Sequence, residues 1–255
     1  MGSGAVTRND VPAWRRAARR ALGAPGLRLL APGWPDSGRR IVQGPALTAL
    51  LARAAARAER VGVAVNAGAG EALYTPLIRR ATPDATLLEF DISPHRGVSA
   101  GDARFAASLT AIPLASGSVQ LAACTEVLEH VPDDDGAVAE LRRILDERGS
   151  LVLSVPTPPA VFDPAHVREG YTLDELSGLL ARHGLVVIEA RYCMHALFKT
   201  VLRRWRPYRV PLGAILLLAW LDRWLRIGRP MDLVVLARPA GAPAGLEARV
   251  GLLGA

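Results

Sequence analysis

A short apolar run that ends in a glycine-rich turn and then enters a helical pattern most restricts what this chain can fold into. The apolar run spans residues 61–65, the turn is 66–70 with the sequence NAGAG, and the helical pattern covers 71–80. Strand, glycine turn and helix in this order open a βαβ unit. Glycines there let the backbone approach a ligand closely, and the helix start offers N–H groups without a helical partner. A tight turn also uses glycine for structural reasons, so the turn alone leaves both interpretations open.

Apolar runs and helical patterns alternate along the rest of the chain. We expect strands at 86–90, 119–124, 151–155, 185–190 and 233–237, and helices at 45–60, 135–145 and 172–183. This alternation predicts an α/β fold, a Rossmann-like doubly wound and mostly parallel sheet, with a helical insert before the last strand.

The predicted elements divide the chain into five segments. We expect a basic N-terminal extension with a helix near 11–22, a core, a basic Trp-rich helical insert, the last core strand and a flexible tail. Their bounds are 1–44, 45–193, 194–230, 231–239 and 240–255.

Charge separates these segments. The chain carries a formal net charge of +7, but residues 61–192 sum to −8, while 1–60 sum to +8 and 193–230 to +7. All five tryptophans lie in the two basic flanks. Aromatic residues make up only 5% of the chain and no RNA-binding module is recognisable, so the sequence does not favour a nucleic-acid partner.

Acidic residues follow the predicted strands at cofactor-binding positions. Asp91 ends the second strand, where a carboxylate accepts hydrogen bonds from a ribose diol. Asp102, in a Gly-Asp-Ala sequence, is placed to accept from an adenine amine. Further on stand CTEVLEHVPD at 124–133 and LRRILDERGSLVLSVP at 141–156.

Taken in order, these motifs resemble those of class I S-adenosylmethionine-dependent methyltransferases over residues 45–192. The resemblance implies a seven-stranded sheet with an antiparallel last strand and S-adenosylmethionine as cofactor. It assigns cofactor contacts to Asn66, Gly68, Gly70, Asp91, Asp102, Ala103 and Cys124. Asn66 replaces the usual acid of the glycine motif, and Ala72 stands where a third glycine is common.

A second group of residues points to the acceptor. Glu126, Glu129 and His130, together with His166, have the residue types of a divalent-metal site, similar to small-RNA 3′-terminal 2′-O-methyltransferases. Alternatively, they organise the loop after the fourth strand, and we expect no metal. If the acceptor is a hydroxyl, His130 or His166 is the candidate general base.

Two further residues are candidate acceptor contacts. Glu126 and Tyr171 are expected to line the acceptor pocket, although Tyr171 could instead pack on Leu173 and Leu176. Thr172 and Glu175 fit a helix capping box.

The insert carries an apolar face formed by Leu217, Trp220, Leu221 and Trp224 at helical spacing. It suits an interfacial helix on an anionic membrane, a lid over a lipid-like or aromatic acceptor, a homodimer contact or an ordinary buried helix. The longest apolar run, 210–221, has 12 residues, short of the ~20 that span a bilayer. Two cysteines and no secretory signal favour the cytoplasm, with a peripheral position on the inner membrane face compatible with the insert.

The sequence therefore predicts a methyltransferase that uses S-adenosylmethionine and a small-molecule or lipid-linked acceptor, with O-methylation favoured. A non-catalytic methyltransferase-like binding domain and a metal-assisted RNA 2′-O-methyltransferase are the alternatives.

Overall fold

A computed structural model describes residues 35–94, 100–160, 164–203 and 212–241. The helix predicted near 11–22 lies outside these residues, as does the tail from 242 onward. The described helices are α1 Pro35–Arg57, α2 Thr75–Ala81, α3 Asp134–Ile144, α4 Leu173–Arg182, α5 Ala196–Arg203 and α6 Leu212–Leu225. The strands are β1 Val63–Ala67, β2 Thr86–Asp91, β3 Ala103–Ala106, β4 Val119–Thr125, β5 Leu145–Pro156, β6 Leu185–Cys193 and β7 Asp232–Pro239.

The strands form one sheet in the order β3-β2-β1-β4-β5-β7-β6, which confirms the predicted fold class. Neighbouring strands from β3 to β5 pair in parallel, whereas β7 is antiparallel to both β5 and β6. The carboxyl ends of β1 to β6 therefore meet at one edge of the sheet, where ligands of open α/β sheets bind.

Helices cover both faces of the sheet because its strands carry apolar side chains on alternating sides. On one face, Leu47 and Leu50 of α1 and Ile78 of α2 form a buried cluster with the sheet. On the other face, Leu141 of α3 and Leu176 of α4 belong to a second buried cluster. The core thus holds the carboxyl edge in place from both sides.

The first described helix is longer than predicted. It begins at Pro35 and continues through Pro45, so the boundary drawn between 44 and 45 falls inside α1. Proline is common in the first helical turn, which suggested a helix start at 45. Inside α1, Pro45 instead leaves the carbonyl of Ile41 without its usual helical N–H donor. Val42, before this boundary, is buried together with Phe198, so the core reaches back at least to residue 42.

The third strand was not predicted as a strand. β3 has only four residues, and it pairs with β2 so that Ala103 lies beside Leu88 and Ala106 beside Asp91. Its sequence, ARFA, contains no β-branched residue and is half-exposed or exposed. A run this short lacks the apolar alternation that identifies a strand.

The predicted helical insert is present as α5 and α6. Phe198 of α5 and Ile215 of α6 are buried together with Val42, Met194 and Met231 in a third cluster. The buried Asp222 of α6 accepts hydrogen bonds from the backbone N–H groups of His195 (2.7 Å) and Phe198 (2.9 Å), which caps the start of α5. Within the described residues, no helix is long and apolar enough to cross a membrane.

Candidate active site

The glycine turn follows β1 at the carboxyl edge. Gly68 has φ = 70°, and a Cβ at this position would lie 2.4 Å from Cγ2 of Val127. Only glycine lets the turn close against the loop that follows β4. Ala72 also has a left-handed backbone, with φ = 60°, although it is an alanine. That conformation costs about 1–2 kcal/mol for a residue with a Cβ, so the position retains the backbone of a glycine.

Asp91, the predicted ribose contact, ends β2 beside this turn. One carboxylate oxygen accepts a hydrogen bond from the N–H of Gly70 at 2.9 Å, and the other accepts from the N–H of Ser93, also at 2.9 Å. The side chain is only half-buried, which leaves lone pairs facing solvent at the carboxyl edge. Asp91 thus fixes the turn and presents a carboxylate beside it.

A buried polar network explains why Asn66 stands where an acid is usual. Asn66 donates from Nδ2 to Oγ1 of Thr75 at 2.9 Å, and the Thr75 hydroxyl donates to the carboxylate of Glu89. Glu89 is fully buried and accepts two hydrogen bonds from Arg104 (2.8 and 2.9 Å). A second carboxylate at position 66 would meet that of Glu89 across Thr75. In this chain the buried acid of the region is Glu89, which lies on β2 and not on β1.

The predicted adenine contacts lie at the wrong end of β3. Oδ2 of Asp102 accepts from the N–H of Leu87 (2.8 Å) near the start of β2 and from Arg79 (2.6 Å). These hydrogen bonds, first that from Leu87, lower the pKa of Asp102. Ala103 begins β3, so Ala103 and Asp102 lie about 10 and 13 Å from the last residue of the strand, Ala106, at the carboxyl edge. The structure therefore places Asp102 and Ala103 away from the edge at which the sequence predicted their contact with the adenine.

Ser108 lies at the carboxyl edge, where the sequence placed Asp102. The backbone N–H of Ala107 donates to the carbonyl of Asp91 at 3.1 Å, which places the residues after β3 at the carboxyl edge. There Ser108 accepts from the N–H of Thr110 (3.2 Å). The Gly-Asp-Ala sequence led to the choice of Asp102. The register of β3 shows that Ser108 lies at the carboxyl edge instead.

Cys124 lies beside Ala67 near the end of β4, and it is fully buried. Burial, with the nearby carboxylates of Glu129 and Glu126, raises the pKa of its thiol far above the usual range. The side chain is consequently a neutral packing group next to the cofactor-binding edge, not a nucleophile.

Glu126 follows β4 with a left-handed backbone, φ = 55°. Its Oε1 accepts hydrogen bonds from Nε2 of Gln43 (3.0 Å) and from the hydroxyl of Ser154 (2.8 Å). The Tyr74 hydroxyl in turn donates to Oε1 of Gln43 at 2.6 Å. Gln43 was missed because it lies in the stretch assigned to the N-terminal extension. These contacts tie α1 to the ends of β4 and β5.

The side chains of His130 and His166 lie in contact with each other. Their ring centroids are 4.6 Å apart in an edge-to-face arrangement. Nδ1 of His130 is 3.1 Å from the carbonyl oxygen of Ala165, and a carbonyl only accepts, so Nδ1 carries a proton. In the neutral ring, Nε2 is then the basic atom. It lies 3.9 Å from the carboxylate of the buried Glu129.

The structure brings three of the four suspected metal ligands together. The ligand atoms of Glu129, His130 and His166 lie within 4.8 Å of one another, whereas Glu126 is hydrogen-bonded to Gln43 and Ser154. Adjacent ligands around a divalent ion are about 3–3.5 Å apart, given metal–ligand distances near 2.1 Å. The 3.9 Å between His130 and Glu129 suits a histidine with a carboxylate neighbour better than a coordination edge.

Tyr171 is buried in the core of the protein. Only 3% of its surface is exposed, and it shares a buried cluster with Leu176. Its hydroxyl donates to Asp134 at 2.9 Å, and burial followed by this bond raises its pKa beyond the usual range. The next residue, Thr172, caps α4 in the predicted capping box with Glu175.

A cavity of about 730 Å³ opens further along the same edge, at the carboxyl ends of β5 and β6. Thr157 and His195 border it, and four arginines contribute to its lining: Arg191, Arg223, Arg226 and Arg229. No residue of the glycine turn and no residue of β2 lines it. The edge thus has two separate regions: one at β1 and β2, called the cofactor side, and one with this cavity at β5 and β6, called the acceptor side for the role proposed below.

The residues on the cofactor side fit S-adenosylmethionine. The Asp91 carboxylate suits the ribose hydroxyls, which are hydrogen-bond donors. Oδ1 of Asn66 is buried and accepts no hydrogen bond from the described residues, so an acceptor remains beside the turn for a donor such as the ammonium group. A Cβ on Gly70 would meet no atom within 4 Å, so the backbone there is open to a ligand.

Comparisons with known proteins agree with this geometry. Residues 65–153 match a family model described as a methyltransferase domain. A search of curated protein sequences finds no match.

Solved structures with the same fold cover most of the chain. An S-adenosylmethionine-dependent methyltransferase from Mesorhizobium loti is 20% identical, with a TM-score of 0.52 over 77% of this chain and 97% of that chain. A methyltransferase described as putative from Bacillus halodurans is 14% identical, with a TM-score of 0.52 over 77% and 100%. Geranyl diphosphate methyltransferase, in complex with GPP and sinefungin, is 14% identical, with a TM-score of 0.54 over 76% and 78%.

The matched domain contains the glycine turn, β2 and the segment after β4, and the solved structures share the strand arrangement that surrounds them. Residues 65–153 therefore form a methyltransferase domain, and S-adenosylmethionine is its cofactor.

Proposed function

We propose that this enzyme transfers a methyl group to a hydroxyl oxygen of a small-molecule or lipid-linked acceptor. The cavity at β5 and β6 carries the proposal. Its volume of about 730 Å³ lies within the range of small-molecule sites. Arginine guanidinium groups in the lining favour an acceptor with a phosphate or carboxylate.

The separation of the two regions sets the length of the acceptor. β5 is two strands from β1 and β6 is four strands away, so the cavity begins about 10 Å from the glycine turn and extends to about 19 Å. An acceptor held by the arginines must therefore be an extended molecule to reach the methyl donor. Geranyl diphosphate methyltransferase, one of the structural neighbours, is named for an acceptor that combines an apolar chain with a diphosphate.

His130 is the proposed general base. It follows β4, between β1 and β5 in the sheet order, and about a third of its side chain is exposed. The Ala165 carbonyl fixes the ring with Nε2 as the proton acceptor. The Glu129 carboxylate, 3.9 Å from Nε2, stabilises the ring after it has gained a proton. His166 supports the ring edge-to-face.

The cofactor supplies an electrophilic methyl group on a sulfonium. The acceptor oxygen forms a bond to the methyl carbon as the carbon–sulfur bond breaks, and the sulfur leaves with that electron pair as a neutral thioether. The hydroxyl proton passes to Nε2 of His130, so charge and atoms balance. Alignment of the two substrates and exclusion of water account for the remaining catalysis.

Transfer of labelled methyl groups tests the proposal directly. The purified enzyme is incubated with methyl-labelled S-adenosylmethionine and separate lipid, aqueous small-molecule and RNA extracts, with and without a metal chelator. We expect label in the lipid or small-molecule fraction, on oxygen by mass spectrometry. His130→Gln is expected to lower transfer about 10²–10⁴-fold while S-adenosylhomocysteine binding stays unchanged. His183→Gln, which changes a histidine paired with Asp135, is the matched control.

Each other outcome contradicts a part of the proposal. No transfer into any fraction by folded enzyme that binds S-adenosylhomocysteine would favour a non-catalytic binding domain. Label in RNA that the chelator abolishes and Mg²⁺ restores would assign Glu129, His130 and His166 to a metal. Equal transfer by wild type and His130→Gln would remove the general base.

A further inference from the structure

Helix α6 exposes an apolar face next to the acceptor cavity. Leu217 is 57% exposed, Trp220 52% and Trp224 72%, and the two tryptophan rings are stacked with centroids 6.3 Å apart. The opposite face of the same helix is anchored, since Ile215 is buried in the third cluster. One side of α6 is thus packed against the protein, and the opposite side is exposed to solvent.

Cations lie at the end of this face. Arg223, Arg226 and Arg229 are exposed and line the cavity mouth, and within the described residues none of them forms an ion pair. The nearby acid, Asp222, is fully buried and accepts from two backbone N–H groups. Asp222 also contributes to the cavity lining, but its carboxylate is buried and bound to these N–H groups, so it adds no exposed negative charge beside the arginines.

We propose that this surface, the exposed face of α6 with its three arginines, docks on an anionic phospholipid membrane. α6 has 14 residues and a length of about 21 Å, so it lies in the plane of the interface. Leucine and tryptophan side chains enter the boundary between headgroups and acyl chains, where indole rings are favoured. The arginines contact lipid phosphates, and the cavity mouth beside them faces the membrane.

Charge argues against the other occupants. In a two-fold dimer the same surface meets itself, and neither copy supplies an exposed carboxylate from this surface to pair with the arginines. Residues 1–34 carry six arginines and one aspartate, so they repel a cationic surface. An anionic bilayer complements both the apolar face and the arginines.

Vesicle binding by the full chain tests the docking surface without any methyl acceptor. Sedimentation with vesicles of phosphatidylcholine alone is compared with vesicles that contain an equal part of phosphatidylglycerol. We expect binding to the anionic vesicles, weakened by salt, and little binding to the neutral ones. Arg223→Ala with Arg226→Ala is expected to weaken binding about thirtyfold. Trp220→Ala with Trp224→Ala is expected to weaken it at least tenfold.

Matched controls separate this surface from general charge and apolarity. Arg148→Ala removes one exposed arginine near the start of β5, and Val186→Ala shortens an exposed apolar side chain on β6. Both are expected to bind vesicles as wild type does. All variants should retain S-adenosylhomocysteine binding, which shows that they are folded.

Three results would overturn the docking proposal. They are no vesicle binding by wild type, equal binding by wild type and both α6 double variants, and a dimer that forms in solution and is abolished by the tryptophan double variant. The first two leave the proposed methyl transfer intact, because that reaction is measured on extracted acceptors without vesicles.

Discussion

The two regions of the carboxyl edge are built in opposite ways. On the cofactor side, polar side chains are hydrogen-bonded within the protein. Asp91 accepts from the backbone N–H groups of Gly70 and Ser93. Asn66, Thr75 and Glu89 form a buried hydrogen-bonded chain. On the acceptor side, arginines line a cavity, and the tryptophans of α6 are exposed. A preorganised region suits one cofactor, whereas an open cationic and apolar region suits an acceptor that arrives from outside. The comparison predicts that substitutions on the cofactor side act through stability and cofactor binding.

The largest effect is expected for the buried pair beneath the turn. Glu89→Gln leaves the mostly buried guanidinium of Arg104, which is 15% exposed, with no carboxylate partner at that position, so we expect unfolding to become easier by about 3 kcal/mol. Urea unfolding measures the loss. Loss below 1 kcal/mol would mean that the network does not organise the cofactor side.

Asn66→Asp is the companion substitution to Glu89→Gln. It adds a carboxylate across Thr75 from Glu89, so it should destabilise at neutral pH and less at pH 5, where one proton can be shared. Asn66→Asp with Glu89→Gln should recover part of this loss. No pH dependence would show that the two positions do not interact.

Gly68→Ala is expected to cost about 2–4 kcal/mol, because it combines a left-handed backbone with a Cβ 2.4 Å from Val127. Val127→Ala removes the atoms that clash. The double variant should therefore recover the steric part and keep the backbone part, as measured by thermal unfolding and S-adenosylhomocysteine affinity. Additive losses in the double variant would contradict the close approach.

A smaller effect, with a defined pH dependence, is expected at Glu140. Hydrogen bonds from Arg143, with a further one from the N–H of Ile112, lower the pKa of Glu140. A lowered folded pKa contributes stability above the unfolded value of about 4.5 and loses it as pH falls. Glu140→Gln should thus cost about 1–2 kcal/mol at pH 7 and progressively less as the pH falls below 4.5. Glu147→Gln, in an exposed pair with Arg142, should change stability little at either pH.

The smallest effect is expected at Ala72. Glycine relieves its left-handed backbone but loses a buried methyl group and adds freedom to the unfolded chain. Ala72→Gly should therefore raise stability by at most about 1 kcal/mol. A loss of 1 kcal/mol or more in thermal unfolding would show that packing of the methyl group outweighs the strain.

Much of the cofactor side was predictable because its signals are local. A glycine turn after an apolar run places Gly68 and Gly70 at the edge, and the end of the next run places Asp91 there. Their contacts with the cofactor stay predictions, whereas the fold and the cofactor are confirmed. The sequence placed Asp102 at this edge because β3 is too short to show its register, whereas the structure places Ser108 there.

The acceptor side was less predictable because it depends on packing between distant segments. The apolar spacing of α6 identified a helix face, but the sequence could not decide whether Leu217, Trp220 and Trp224 are buried or exposed. Gln43 contacts Glu126 across 83 positions of the chain, and no local pattern reports such a pair. The burial of Tyr171 was not predicted for the same reason, since its partner Asp134 lies 37 residues away on α3.

Calorimetric titration with S-adenosylhomocysteine tests most directly whether the cofactor side works as described. We expect wild type to bind one equivalent. Asp91→Ala, folded by circular dichroism, should bind at least tenfold more weakly because it loses the carboxylate that faces the ribose hydroxyls. Asp84→Ala, at an exposed acid just before β2, should bind as wild type does. No binding by folded wild type, or equal affinity of wild type and Asp91→Ala, would contradict the assignment of the cofactor to this edge.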